Sequence, residues 1–286
     1  MRARTSRNRT IVDATVKVVS TLSSFIGIIA LAWILFVVLT RGASAFNLPF
    51  FTQPTTPAGV AGGGVANGII GTIMITFLAA VIGIPTGMFA GIYLAEFETR
   101  NRISSLIRFS VNAMMGIPSI IIGLFVYTFM VLPLGHFSGY SGAVALAIIM
   151  MPVVARTTED MLNLVPNSLR ESALALGAPR WRVTLGIVFR AAKTGLITGT
   201  LLATARVSGE TAPLLFTALN SFYWPKSLNE PTPNLTITIF QYAMSPYADW
   251  QQKAWGASLL IMSGVLLLTV CARIILKEKT HERFPG

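Results

Sequence analysis

The hydrophobic positions of this chain lie in long tracts that contain no Asp, Glu, Lys or Arg. A helix that crosses a bilayer needs about 20 predominantly apolar residues, because it must satisfy its own backbone hydrogen bonds through the hydrocarbon. The tract between Lys17 and Arg41 therefore predicts a first transmembrane helix over residues 18–41. Its apolar core exceeds the roughly 7–15 residues of a signal peptide, so we interpret it as a retained helix.

Turn-forming residues divide the remaining apolar sequence into five further spans. Residues 42–66 are rich in Pro, Thr and Gly and predict a loop, and Leu132–Gly139 interrupts a later tract. Pro85 and Pro118 predict kinks, and the repeated G-x-x-x-G of Gly83–Gly91 predicts close helix packing. The predicted helices after the first cover residues 68–95, 109–132, 141–155, 192–215 and 254–272. The pattern thus predicts an all-α, polytopic membrane protein with six transmembrane helices.

The composition supports a membrane protein and argues against a soluble enzyme. Hydrophobic residues make up 53% of the chain, charged residues only 12%, and the mean hydropathy is +0.67. A typical soluble domain is about 25% charged. Cys271 is the single cysteine, so an intrachain disulfide framework is excluded.

The net charge of +11 follows the predicted topology. With six spans both termini lie on one side, and most of the 22 Lys and Arg residues fall on that side. Cytoplasmic loops collect Lys and Arg, which predicts a basic cytoplasmic N-terminus at 1–17, an outer loop at 42–66 and a cytoplasmic tail at 278–286. The basic residues therefore indicate orientation in lipid, and we expect no nucleic-acid partner.

The charged segment at 166–190, between the fourth and fifth spans, predicts a short amphipathic helix. Ser168 and Glu171 have the spacing of a capping box, and Gly177 is placed to end the helix. Such a helix lies on the membrane surface or docks a partner. Its apolar stripe would comprise Leu169, Ala173 and Leu176.

This segment resembles the EAA loop of ABC-importer permeases, which reads E-A-A-x₃-G-x₉-I-x-L-P. Here Phe189-Arg190 replaces the usual Leu-Pro, and a serine replaces the middle alanine. The resemblance implies a type I ABC importer permease fold in which this loop forms a coupling helix that docks into a separate ATPase. The residues that occupy the motif positions, and that the resemblance implies for coupling to the ATPase, are Glu171, Ser172, Ala173, Gly177 and Ile187.

Two ionisable residues stand inside the predicted fifth span. Arg206 and Glu210 are four residues apart, so on a helix they would share one face. A charged side chain at the centre of a span costs about 2.5–3.5 kcal/mol on insertion scales and usually faces a cavity or a partner. The two residues either neutralise each other or form an anion site, for which guanidinium offers a planar fork of donors.

The segment Ala205–Leu215 resembles the helix-five signature of phosphate-specific ABC permeases, and Gly116-Ile-Pro-Ser119 also matches that family. The resemblance implies a permease domain at 67–277, with Arg206, Glu210 and Arg156 along the substrate pathway. It further implies a second homologous permease, two copies of an ABC ATPase and an external phosphate-binding protein at a bacterial cytoplasmic membrane. We expect this chain to bind no cofactor itself, since ATP belongs to the partner and no Gly-Lys dipeptide of a Walker A loop occurs.

Several alternatives remain open at this stage. The cargo could be another oxyanion such as sulfate or molybdate, or the chain could be an ATP-independent anion channel or carrier. An intramembrane hydrolase lacks a nucleophile–base pair, and His136 and His281 fall on opposite sides of the membrane, which disfavours a metal centre. The outer segment Phe216–Lys253 predicts an aromatic belt, or a surface for a solute-binding protein, through Tyr223, Trp224, Tyr242, Tyr247 and Trp250.

Overall fold

The computed structural model describes residues 2–60, 62–97 and 101–281, with side chains for 9–60, 62–97 and 101–270. Within these residues the chain is a helical bundle without β-strands, which confirms the predicted all-α class. Residues 98–100, and residues 282–286 of the predicted tail, lie outside the described residues. The helices are α1 (Arg2–Ala43), α2 (Leu48–Thr52), α3 (Ala66–Glu96), α4 (Arg102–Gly116), α5 (Ser119–Val126), α6 (Leu132–Leu134), α7 (Gly139–Asn163), α8 (Asn167–Ala175), α9 (Arg180–Val183), α10 (Phe189–Ser208), α11 (Ala212–Leu215), α12 (Leu235–Ala243) and α13 (Ala248–His281).

Two π-helical segments join neighbouring helices into longer rods. Tyr127–Val131 connects α5 to α6, and Thr184–Val188 connects α9 to α10. In the described part of the chain, five helices are long and apolar enough to cross a membrane, namely α1, α3, α7, the α9–α10 rod and α13. A sixth span results if α4 and the α5–α6 rod are counted together.

The predicted third helix, residues 109–132, is not one continuous helix. It breaks at Ile117–Pro118, where α4 and the α5–α6 rod meet at 105°. Pro118 lacks an amide hydrogen, and its ring pushes the preceding residue out of the helical region, so Ile117 has φ −76° and ψ 127°. Pro85, by contrast, lies inside an unbroken α3.

The ends of two other helices differ from those predicted from charges. The fourth span was expected over 141–155, but α7 begins at Gly139 and continues past its charged residues to Asn163. The fifth was expected over 192–215, but its rod runs from Arg180 to Ser208. In α7 the charged residues pair with one another and do not end the helix, so counting charges placed that boundary wrongly.

The G-x-x-x-G repeat of α3 packs against α7, as the sequence predicts. A Cβ added at Gly87 would lie 2.6 Å from the carbonyl oxygen of Met151, and one added at Gly91 would lie 2.5 Å from that of Ala155. Only glycine permits this approach of the two backbones. The contact is the centre of the main apolar core, which also contains residues of α5, α10 and α11. Helices α3 and α7 therefore form one tightly packed pair.

At the end of the bundle away from α8, buried polar and aromatic side chains fix the long loops. The Asn67 side chain is fully buried; it accepts a hydrogen bond from the Thr55 amide at 3.0 Å and donates to the Ser221 carbonyl at 3.1 Å. Tyr242 is 0% exposed and stacks on Trp250 with ring centroids 4.2 Å apart. These two rings are therefore core residues and not part of the predicted interfacial belt.

Candidate functional site

A cavity of about 290 Å³ lies where the α4–α5 break meets α7 and the end of α10. Ser119, Arg206 and Glu210 are polar lining residues, and the rest of the wall is largely apolar. Ser119 is the first residue of α5, so the N-terminal end of that helix, with its unpaired amides and positive dipole end, lies on the cavity wall. The apolar wall residues include Met114, Met115, Ile117 and Ile122 on one side, and Ile149, Pro152 and Val153 of α7 on the other.

Arg206 and Glu210 share this cavity but not one helical face. Helix α10 ends at Ser208 with Gly209 as its C-cap, so Glu210 follows the helix. The expected helical i,i+4 pair is therefore wrong. Within the described part of the chain, neither side chain makes an ion pair or a side-chain hydrogen bond; Glu210 is held by its backbone carbonyl, which accepts from the Thr236 hydroxyl at 3.0 Å. The Arg206 donors are consequently free to meet a ligand or a partner.

Arg156 lies in a separate cluster of ion pairs near the end of α7. It contacts Glu159 at 3.4 Å and Asp160 at 3.3 Å, and Glu159 also binds Arg108 of α4 at 2.7 Å. Glu159 is only 4% exposed. The structure thus does not bring Arg156 to the cavity of Arg206. Arg108 and Glu159 were missed from the sequence, although the i,i+3 and i,i+4 spacing of Arg156 to two carboxylates was a visible signal.

The short helix predicted at 166–190 is present as α8, but its start differs from the prediction. It begins at Asn167 after Pro166, with no side-chain cap, so the proposed capping box of Ser168 is wrong. Proline tolerates this position because the first helical amides have no intrahelical partner. The Ser172 hydroxyl donates to the Ser168 carbonyl at 2.8 Å.

Gly177 ends α8, as predicted. It has a φ of +81°, a left-handed conformation that glycine adopts without steric cost. Its amide donates to the Leu174 carbonyl at 2.9 Å, and the Ala178 amide donates to the Ala173 carbonyl at 3.3 Å. These two bonds form a Schellman cap, which turns the chain sharply after the helix.

The residues of the EAA-like motif lie on two faces of this segment. Glu171 and Ser172 are exposed, whereas Ala173 is buried in an apolar cluster beneath α8, and Ile187 packs against the same cluster. The predicted apolar stripe is only partly buried, because Leu176 is 89% exposed. The helix therefore presents a carboxylate and apolar side chains on its outer face.

One inward-facing residue of α8 was overlooked in the sequence. The Arg170 guanidinium forms an ion pair with Glu96, the last residue of α3, at 2.7 Å. These residues are 74 positions apart, so no local spacing connects them.

Comparison with known proteins places the chain in a family. Residues 83–277 match the family model for the binding-protein-dependent transport system inner membrane component, and the chain belongs to this family. It is 48% identical, over 92% of its length and 90% of the relative's, to a phosphate transport system permease protein PstA of Yersinia pestis. It is 35% identical, over 91% of its length and 87% of the relative's, to PstA 1 of Mycobacterium tuberculosis CDC 1551.

Solved structures agree on the fold. The chain resembles an inward-facing MetNI methionine ABC transporter with a TM-score of 0.62 and 20% identity, covering 74% of this chain and 94% of the other. An amino acid ABC transporter gives a TM-score of 0.54 at 18% identity, covering 75% and 92%. The fold is thus that of an ABC importer permease, as the EAA-like motif implied.

Proposed function

We propose that this chain is a permease subunit of an ATP-driven importer that carries inorganic phosphate across a bacterial cytoplasmic membrane. The observation that carries the proposal is Arg206, whose guanidinium faces a cavity within the bundle and has no partner in the described part of the chain. The relatives named above, which the chain covers almost entirely, are phosphate transport system permeases.

The cavity has the chemistry of a transient phosphate site. Guanidinium binds two oxygens of one phosphate through parallel N–H donors, and it stays charged at any physiological pH. The N-terminal end of α5 adds a second attraction for an anion on the same wall. Glu210 lines the same cavity and repels an anion, which favours release over tight retention. We therefore expect Arg206 to contact phosphate during passage, and Arg156 to act nearer the exit.

The pathway requires a second subunit. Arg206 is exposed in the single chain, and an exposed arginine within a membrane span is costly unless protein or water covers it. A second, homologous permease facing this surface would enclose the cavity. In this arrangement each chain supplies half of the pathway.

The exposed face of α8 is the docking site proposed for the ATPase. It presents the Glu171 carboxylate, and Leu176 adds an apolar surface that water does not favour. The basic residues at this end favour a cytoplasmic position for it, and we propose that both termini lie on the same side. Two ATPase copies would bind at the cytoplasmic end of the complex and hydrolyse ATP. An external phosphate-binding protein would deliver the cargo on the opposite side. This chain itself would perform no catalysis.

Replacement of Arg206 tests the proposal. We expect Arg206→Gln to abolish uptake of labelled phosphate while the complex still assembles, and Arg206→Lys to restore uptake only in part because it lacks the fork. Lys193→Gln, an exposed cation on the same helix, is the matched control and should transport normally. Normal uptake by Arg206→Gln would refute the assigned role.

Competition separates the alternative functions. An excess of sulfate or molybdate should leave phosphate uptake unchanged, whereas strong inhibition by either would favour another oxyanion as the cargo. Uptake that persists without ATP would favour a channel or an ion-coupled carrier, and α8 would then be a surface helix only.

A further inference from the structure

The Arg170 guanidinium donates hydrogen bonds to Glu96, which is 74 positions away, and to carbonyl groups near the end of α7. Its Nε and Nη2 donate to Glu96 Oε1 at 3.1 and 2.7 Å, Nη2 also donates to the Leu162 carbonyl at 2.7 Å, and Nη1 donates to the Val165 carbonyl. The Arg170 side chain is 16% exposed and that of Glu96 only 7%. Bonds shielded to this degree are weakened little by water or salt.

The acceptors place Arg170 at the ends of two membrane-spanning helices. Glu96 is the last residue of α3, and Leu162 lies in the last turn of α7. The C-terminal ends of helices carry partial negative charge and unpaired carbonyls, so a cation is favoured at both. Without Arg170, the Glu96 carboxylate would be buried at the negative end of α3. One guanidinium therefore ties α8 to both α3 and α7.

The two helices that Arg170 holds lead to the cavity of Arg206. The glycines of α3 bring its backbone so close to α7 that a Cβ added at Gly91 would lie 2.5 Å from the Ala155 carbonyl oxygen, so we expect the two helices to move together. Ile149, Pro152 and Val153 of α7 form a wall of the cavity. A displacement of α8 would thus reach that wall through the α3–α7 pair.

The apolar cluster beneath α8 makes a different kind of connection. Ala173 packs there with Val183 and Val188 of the segment that leads into α10, and the cluster also touches Leu162 of α7 and Ala95 of α3. Apolar contacts of this kind are non-directional and permit sliding, whereas the directed hydrogen bonds of Arg170 to Glu96 and Leu162 fix both distance and orientation.

We propose that Arg170 is a positioning residue that, through Glu96 and the Leu162 carbonyl, transmits the movement of α8 to the α3–α7 pair. This inference rests on the proposed function, in which an ATPase moves α8. Arg170 touches neither the cargo nor the ATPase face; Glu171, its neighbour, is the residue exposed on that face. In this proposal Glu171 contacts the ATPase, and the adjacent Arg170 transmits the movement of α8 to the α3–α7 pair.

The assembled complex in lipid vesicles provides the test, with phosphate uptake and ATP hydrolysis measured together. We expect Arg170→Met, which keeps the length of the side chain and removes its donors, to retain the ATPase subunit and hydrolyse ATP while the phosphate moved per ATP falls at least tenfold. Arg170→Lys should lose less, and the control Lys193→Met nothing. Unchanged phosphate per ATP in Arg170→Met would overturn the proposal, and so would loss of the ATPase subunit, since it would make Arg170 a docking residue.

A second measurement does not depend on the identity of the cargo. With Cys271 replaced by serine, spin labels at Leu169→Cys on α8 and Phe89→Cys on α3 report the distance between these helices. We expect a narrow distribution that is the same with and without ATP, and a broader, ATP-dependent one after Arg170→Met. Identical distributions in both proteins would refute the link even if phosphate is not the cargo, whereas absent phosphate uptake by the unsubstituted complex would refute only the proposed function.

Discussion

Replacing Gly91 with alanine would place a methyl group where α3 and α7 leave no room. Its Cβ would lie 2.5 Å from the Ala155 carbonyl oxygen and 2.6 Å from Thr158 Cβ, whereas favourable carbon contacts are about 3.5–4.0 Å. Both contacts are to backbone or to a Cβ, so no flexible side chain can move aside. Overpacking of this kind costs about 1–3 kcal/mol, and the higher helix propensity of alanine recovers only about 0.5–1 kcal/mol. We expect a net loss of about 1–2 kcal/mol.

Thermal unfolding of the purified protein in detergent measures this loss. For a chain of this size, each kcal/mol lowers the midpoint by about 2–4 °C. Gly83→Ala, whose nearest contact is 3.1 Å, should cost less than Gly91→Ala. Gly27→Ala is the matched control, because it is also helical and has no atom within 4 Å of the added Cβ. Equal midpoints for Gly91→Ala and Gly27→Ala would refute the packing of α3 on α7.

Three further changes test other parts of the structure. Gly177→Asp should release the ATPase on purification, because it forces a residue with a Cβ into a φ of +81°; unchanged co-purification would contradict this. Asn67→Ala should lower the unfolding midpoint, since each buried partner left unsatisfied, such as the Thr55 amide, costs about 1–3 kcal/mol; an unchanged midpoint would argue against the buried network. Burial raises the pKa of Tyr242 from 10.0 to about 12. The folded state favours the neutral phenol, so its contribution to stability is complete below pH 10 and is lost as the pH rises towards 12. Between pH 10 and 12, Tyr242→Phe should therefore lose less folding stability than the unsubstituted protein, as measured by unfolding at a series of pH values. Identical pH profiles for the two proteins would contradict this prediction.

The helical class and most spans could be predicted because hydropathy reports burial in lipid directly. The end of α7 could not be predicted, because a count of charged residues does not show which of them form ion pairs. Helix α7 continues through Arg156 and Glu159, because the Glu159 carboxylate pairs with Arg156 and with Arg108 of α4. The 105° break at Pro118 was visible only as a kink, since the angle is set by what α4 and α5 pack against.

The candidate site was partly predictable for a similar reason. Arg206 and Glu210 are conspicuous because charge is expensive inside a span, but their spacing suggested a helical pair that Gly209 prevents by ending α10. Arg170 is one of many basic residues on the predicted cytoplasmic side, and its local sequence does not distinguish it from them. Its role depends on Glu96, which only the packing of α3 on α7 brings within 2.7 Å.

Concentrative uptake by the complete complex tests the central proposal most directly. Vesicles that contain this chain with its second permease, its ATPase and the binding protein outside should accumulate labelled phosphate against a gradient when ATP reaches the ATPase, and should not when Arg206 is replaced by glutamine. Accumulation that needs no ATP, or that is unchanged by Arg206→Gln, would contradict the account.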